Sequence, residues 1–137
     1  MKTFVMCLFT LMITTAVSHA ELMVISNKSI TQTSISRQDI KDIFLGKKVY
    51  WNDKSKISVA ALTQQEPAQA FFSIYLNQTP KQFDAHWDKK LFTGGTHALK
   101  RLKSSKLMVE YVSQTQGAIG FIDSNNPPKD VTILTVE

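Results

Sequence analysis

The sequence predicts a single α/β domain, and three observations carry that prediction. Short apolar runs alternate along the chain with amphipathic stretches at helical spacing. Residues that start and stop helices punctuate those stretches. No internal repeat, low-complexity tract or interdomain linker divides the chain, so strands and helices in alternation describe one layered structure.

Taken in order, residues 1–20 have the pattern of a secretory signal. Lys2 supplies the charged end, an apolar run extends from Phe4 to about Val17, and Ser18-His19-Ala20 is a small-residue cleavage site with the cut expected after Ala20. A membrane span needs about 20 apolar residues, more than this run offers, so no span is expected in the processed chain. Cys7 falls inside the segment, and the domain expected over residues 21–137 therefore contains no cysteine and no disulfide framework.

Glu21 to Asn27 reads as the first strand, followed by a polar loop. Ser36 caps the next helix, with Asp39 as a capping-box acid and Ile40, Ile43 and Phe44 as its buried stripe; Gly46 closes it in a left-handed conformation. Trp51-Asn52-Asp53 is a turn whose aromatic covers the core. Ile57 to Leu62 is a strand apolar enough to be buried on both faces. Gln64, Gln65 and Glu66 form the turn after it, and Pro67 opens a helix running to Leu76.

Thr79, Pro80 and Gln82 start a third helix by the same capping logic, with Phe83, Trp87 and Leu91 recurring every fourth residue as a core stripe. The loop Phe92-Thr93-Gly94-Gly95-Thr96 holds the chain's one glycine pair between hydroxyls, which suits either a plain turn or a concave nest of N–H groups. Lys100, Arg101, Lys103 and Lys106 form the densest basic run. Ser104 or Ser105 caps a fourth helix buried through Met108, Tyr111 and Val112. Gly117 to Ile122 and Val131 to Val136 complete the strands, with a turn at Asn125 to Pro128 between them.

The formal charge is +5, and loss of Lys2 with the signal would lower it by one. In an envelope compartment that excess suits small anions, anionic polymers or simple solubility, and nucleic acid is not an expected partner. No HExxH, CxxC, GxSxG or phosphate-loop pattern is present. His86 lies between Asp84 and Asp88, but alternate positions on a helix do not share a face, and His97 is not at metal-ligand spacing from His86. No catalytic residue, metal or cofactor is expected.

The segments SRQDIKDIFLGKKVYWND, the strand, turn and helix ending in FFSIYL, and VEYVSQTQGAIGFID together resemble the phosphate-binding proteins of ABC importers, in particular short one-domain members of that group. The likeness spans Ser36 to Asp123. It implies an exported, periplasmic solute-binding domain: one lobe of a type II periplasmic-binding-protein-like fold, with a central mixed sheet flanked by helices. In that family the turn after the strand holds an arginine, an aspartate and a Ser-Gly-Thr run that clamp the anion. Here Leu62 stands for the arginine, Gln64 for the aspartate, and Glu66, Pro67 and Ala68 for Ser-Gly-Thr, so the phosphate-clamping side chains are replaced.

Candidate ligand residues are Thr63, Gln64, Gln65, Glu66 and Ala68 on the turn, with Thr93, Gly94, Gly95 and Thr96 as a second loop. Three functions stay open: a module for a small polar or anionic solute; an envelope sensor or regulatory partner docking through the polar turn or through Lys100, Arg101, Lys103 and Lys106; and adhesion to anionic polymer. A dimer could supply the second lobe that one chain of this length lacks.

Overall fold

The computed structural model describes residues 21–94 and 98–137, so the expected signal segment with Cys7, and Gly95, Thr96 and His97, lie outside the described residues. Strand β1 is Glu21–Ser26 and β2 is Ser34–Ile35, followed by helix α1 at Arg37–Phe44. Strand β3 (Ser58–Leu62) leads into α2 (Gln65–Phe71), which passes without a break into a π-helical turn at Phe72–Leu76. Then come α3 (Pro80–Phe92), β4 (Lys100–Leu102), α4 (Ser105–Gln114), β5 (Ala118–Ser124) and β6 (Thr132–Val136).

The strands form one mixed sheet in the order β2-β6-β1-β5-β3-β4. β1 is antiparallel to both β5 and β6, whereas β3 is parallel to β5 and β4, and β2 to β6. Five strands therefore point one way and β1 the other. The carboxyl ends of those five meet at one rim of the sheet, where α1, α2 and α4 all begin.

Strand alternation fixes which helix covers which face, because neighbouring residues on β5 point oppositely. A Cβ on Gly120 would lie 2.4 Å from Met108 Sδ, so α4 packs directly on the glycine's face. Phe121 faces the other way, stacked on Phe71 with ring centroids 3.9 Å apart and beside Phe44 at 6.0 Å. Helices α1 and α2 thus cover the face opposite α4, as right-handed crossovers from β3 to β4 and from β4 to β5 require. Phe72 extends the cluster, stacking on Phe83 of α3 at 4.1 Å.

Most of the expected elements are present at their expected places. Ser36 accepts from Asp39 N–H at 3.0 Å, Thr79 and Gln82 form a complete capping box, and Ser104 rather than Ser105 caps α4. Gly46 is left-handed at φ 73°. Trp51 is buried and donates from Nε1 to Gly117 O at 2.9 Å, which ties the turn over the core to the start of β5.

Five expectations are corrected. The Asp39 side chain turns outward to Lys48 at 3.2 Å. The helix expected to open at Pro67 opens two residues earlier, at Gln65, which leaves Pro67 inside the first turn, where its missing N–H costs nothing. Leu91 is 53% exposed while Phe83 and Trp87 are buried, because α3 runs past the edge of the core in its last turn. The basic run contains an edge strand, β4, and the loop before Ser36 contains the two-residue β2.

Candidate functional site

The site grows from the way the chain leaves β3. Leu62 ends the strand inside the core, and Thr63 still pairs with β4 by donating its N–H to Leu102 O at 2.8 Å. Gln64 is extended (φ −62°, ψ 125°) and the chain enters α2 with no side-chain cap. β3 hands on to a helix on one face and β4 to α4 on the other, so the two connections diverge at neighbouring carboxyl ends. Such a divergence is where open α/β sheets place ligand crevices.

A surface cleft of about 360 Å³ opens beside this divergence, on the face covered by α2 and α3. Its floor is backed by the buried Ala61, Leu62, Ala68, Phe72 and Phe83, each no more than 2% exposed. Thr63, Gln65 and Gln69 stand at the rim from the β3–α2 side. Thr79, Pro80, Lys81 and Asp84, at the start of α3, close the far side. The π-helical turn has a positional role here. It lets the chain go directly from α2 into the reversal at Asn77, which is left-handed at φ 52°, and it aims Phe72 at Phe83.

Arg101 completes the lining, and the register explains how. Arg101 pairs with Ala61 and Lys100 with Ala60, so successive residues of the basic run point to opposite faces. Lys100 lies over the Tyr111 ring of α4 at 5.8 Å from its centroid. Arg101 turns into the cleft, where its Nη2 stands 3.4 Å from Asp84 Oδ1. The pair is partly solvated, with side chains 36% and 58% exposed, so it holds the guanidinium at the cleft without burying it. Lys103 and Lys106 are exposed on the connection to α4 and its first turn, and the four cations therefore do not make one face.

The proposed ligand residues divide accordingly. Thr63, Gln65 and Ala68 line the cleft together, while Gln64 and Glu66 are exposed on the turn and outside the lining. Thr93 and Gly94 lie at the opposite end of α3, which is 13 residues and so about 20 Å long. There Thr93 Oγ1 donates back to Lys89 O and Lys90 O at 3.1 and 3.2 Å, and Gly94 N–H to Leu91 O at 3.3 Å. The two residues close the helix and are not brought to the cleft. Gln69, Lys81, Asp84 and Arg101 are among the cleft residues that the sequence did not assign to a ligand site; β4 is three residues long, too short for an alternation that would separate Arg101 from Lys100.

The remaining polar features serve other ends. The His86 ring bonds through Nε2 to Leu45 O at 2.7 Å, tying α3 to the end of α1. The Ser55 hydroxyl and N–H hold the Asp53 carboxyl below the usual range, at an exposed turn away from the cleft. Among the described residues there is no group of three or more His, Cys, Asp or Glu able to hold a metal ion, and no helix is long and apolar enough to cross a membrane.

No protein-family model and no curated protein sequence matches the chain. Solved structures do. An ABC-type phosphate transport receptor from Vibrio cholerae superposes with a TM-score of 0.66 at 17% identity, over 86% of this chain and 46% of its own. PstS from Borrelia burgdorferi gives 0.67 at 19%, over 88% and 48%. A phosphate-binding protein from Stenotrophomonas maltophilia gives 0.66 at 15%, over 87% and 39%. The chain thus spans less than half the length of each of these proteins. At these identities the likeness establishes the fold: the domain is a single lobe of the phosphate-binding-protein architecture, as the motifs from Ser36 to Asp123 imply.

Proposed function

We propose that this chain is an exported, non-enzymatic, solute-binding-like module of the periplasm, in which the cleft beside the β3–α2 turn takes a small solute and the inherited phosphate clamp has been replaced. One observation carries the reading: at the carboxyl ends of the strands, in a lobe of this architecture, a cleft is lined by the exposed polar side chains of Thr63, Gln65, Gln69, Lys81, Asp84 and Arg101. Leu62, at the position of the family's arginine, is 2% exposed and has no charge to give. Glu66, in place of the serine, is an exposed carboxylate on the same turn. A dianion taken from water requires charge-assisted hydrogen bonds, each contributing about 1.5–3 kcal/mol, and this turn supplies none from its side chains.

Calorimetry of the processed chain against phosphate, sulfate, phosphonates and small neutral polar solutes tests the reading, with Gln69→Trp as the variant that fills the cleft. Saturable binding of a solute other than phosphate, lost in Gln69→Trp, is the expected result. Silence across the panel would overturn it.

A second reading is favoured by Phe92, which is 95% exposed beside the half-exposed Leu91 at the end of α3. Two adjacent apolar side chains in water suit a contact with an envelope protein or a second copy of the chain. Pull-down from envelope extract with the wild type and with Phe92→Ser tests it. One stoichiometric partner lost in the variant supports docking there, and an unchanged complex removes this end from it. Reversing charge at Lys100, Lys103 and Lys106 tests the basic run in the same way.

A further inference from the structure

We infer that the carboxyl end of α3 rests on the surface of an anionic lipid bilayer, with Phe92 and Leu91 entering the headgroup layer. This goes beyond the second reading above, which gives the same end to a protein, and it is independent of the cleft. Exposure and area come first. Phe92 is 95% exposed and Leu91 53%, next to one another in the last turn of the helix. A phenylalanine and half a leucine offer at most about 300 Å², whereas a stable protein interface takes about 800 Å² from each partner. Lipid needs no matching surface, and an aromatic with an aliphatic neighbour is enough for contact with its outer layer.

Charge supplies the sign of the lipid. Lys89 and Lys90 directly precede the apolar pair, and Lys90 Nζ reaches Gly46 O at 3.4 Å, which brings the exposed Lys47 to the same end. Counting the end of α1 with it, Lys41, Lys47, Lys48, Lys89 and Lys90 stand against Asp39, Asp42 and Asp88, five cations to three acids. Lys48 is held by Asp39 at 3.2 Å and the Asp42 carboxylate accepts from Gln38, whereas Lys47 and Lys89 are exposed. An apolar tip collared by surplus lysines suits anionic headgroups, near which each lysine adds to binding. The backbone permits the approach as well. The carbonyls of Lys89, Lys90 and Leu91 accept hydrogen bonds from Thr93 and Gly94, so none of the three carries a bare acceptor into a less polar layer.

Sedimentation of residues 21–137 with vesicles tests this, using phosphatidylcholine alone and phosphatidylcholine mixed with an equal part of phosphatidylglycerol. The protein should associate with the anionic vesicles and hardly with the neutral ones, and less as salt rises. Lys47→Gln and Lys89→Gln should each weaken the association about fivefold. Phe92→Ser should weaken it about tenfold, with an unmoved urea midpoint because the side chain stands in water. Phe92→Trp adds an indole to the buried Trp51 and Trp87, and its emission should shift to the blue on the anionic vesicles. No association, equal association with both vesicles, or association that Phe92→Ser leaves unchanged overturns the proposal; the last would be adsorption of the basic chain as a whole. If the vesicles fail and a pull-down returns a protein that Phe92→Ser loses, the lipid is wrong and the second reading stands. If the pull-down is empty as well, both fall, and the cleft is untouched by either result.

Discussion

Replacing Phe83 by alanine probes the joint between core and cleft, and Leu91→Ala on the same helical stripe is its internal control. Phe83 is 1% exposed and stacked on Phe72 at 4.1 Å, whereas Leu91, two turns further on, is 53% exposed. A phenylalanine buries about 150–250 Å², which at about 25 cal/mol per Å² corresponds to about 4–6 kcal/mol. Phe→Ala changes in cores cost about 3–5 kcal/mol, so we expect a loss of about 4 kcal/mol here, including the stacking with Phe72. Leu91→Ala should stay within about 0.5 kcal/mol. Urea unfolding followed by tryptophan fluorescence reads both. With a slope of about 2 kcal/mol per molar, the midpoint of Phe83→Ala should fall by about 2 M and that of Leu91→Ala should hardly move. Equal, small shifts in the two variants would mean that α3 is not docked on Phe72, and the inner wall of the cleft would not exist as described.

Two other perturbations follow from local geometry. Gly117 has φ 73°, and an added Cβ would stand 2.2 Å from the backbone oxygen of Lys56, while Gly94 has φ 82° with nothing among the described residues within 4 Å. Gly94→Ala should therefore cost about 1 kcal/mol, the left-handed penalty alone; Gly117→Ala should cost about 3 kcal/mol, because the shift also strains the Trp51 bond to Gly117 O, and equal costs in urea unfolding would refute the close approach. Asp53 is held below its usual range by the Ser55 hydroxyl first and the Ser55 N–H second. Its ionised form is thus favoured by folding, a contribution present at neutral pH and lost as pH falls through the lowered value. In an NMR titration Ser55→Ala should move Asp53 back up toward the ordinary carboxylate range, and an unmoved titration would remove the hydroxyl as the cause.

The fold was legible in the sequence wherever a local pattern had a local cause. Caps at Ser36 and Thr79, the left-handed Gly46, the largely apolar run of β3 and the period of α1 each act within a few residues, and each is found where the pattern places it. β2 and β4 were not legible, because two and three residues at the sheet's edges are too few to show an alternation. Leu91 continues a helical period that the core does not continue. The π-helical turn at Phe72–Leu76 leaves no mark in a sequence whose apolar residues fit an α-helix equally well. The cleft was half legible: Thr63, Gln65 and Ala68 belong to the strand–turn–helix that drew attention to the region, but Lys81, Asp84 and Arg101 arrive from α3 and from the partner strand. Arg101 looks like one cation among four until its pairing with Ala61 assigns it to the α3 face.

Isothermal titration of residues 21–137 with inorganic phosphate at neutral pH decides whether the turn after β3 still grips the anion. If Leu62, Gln64, Glu66, Pro67 and Ala68 stand in place of the clamp, as proposed, the lobe should give no saturable heat at micromolar phosphate. Tight, stoichiometric phosphate binding that survives Arg101→Gln would show that the turn still holds the anion, and would contradict the account.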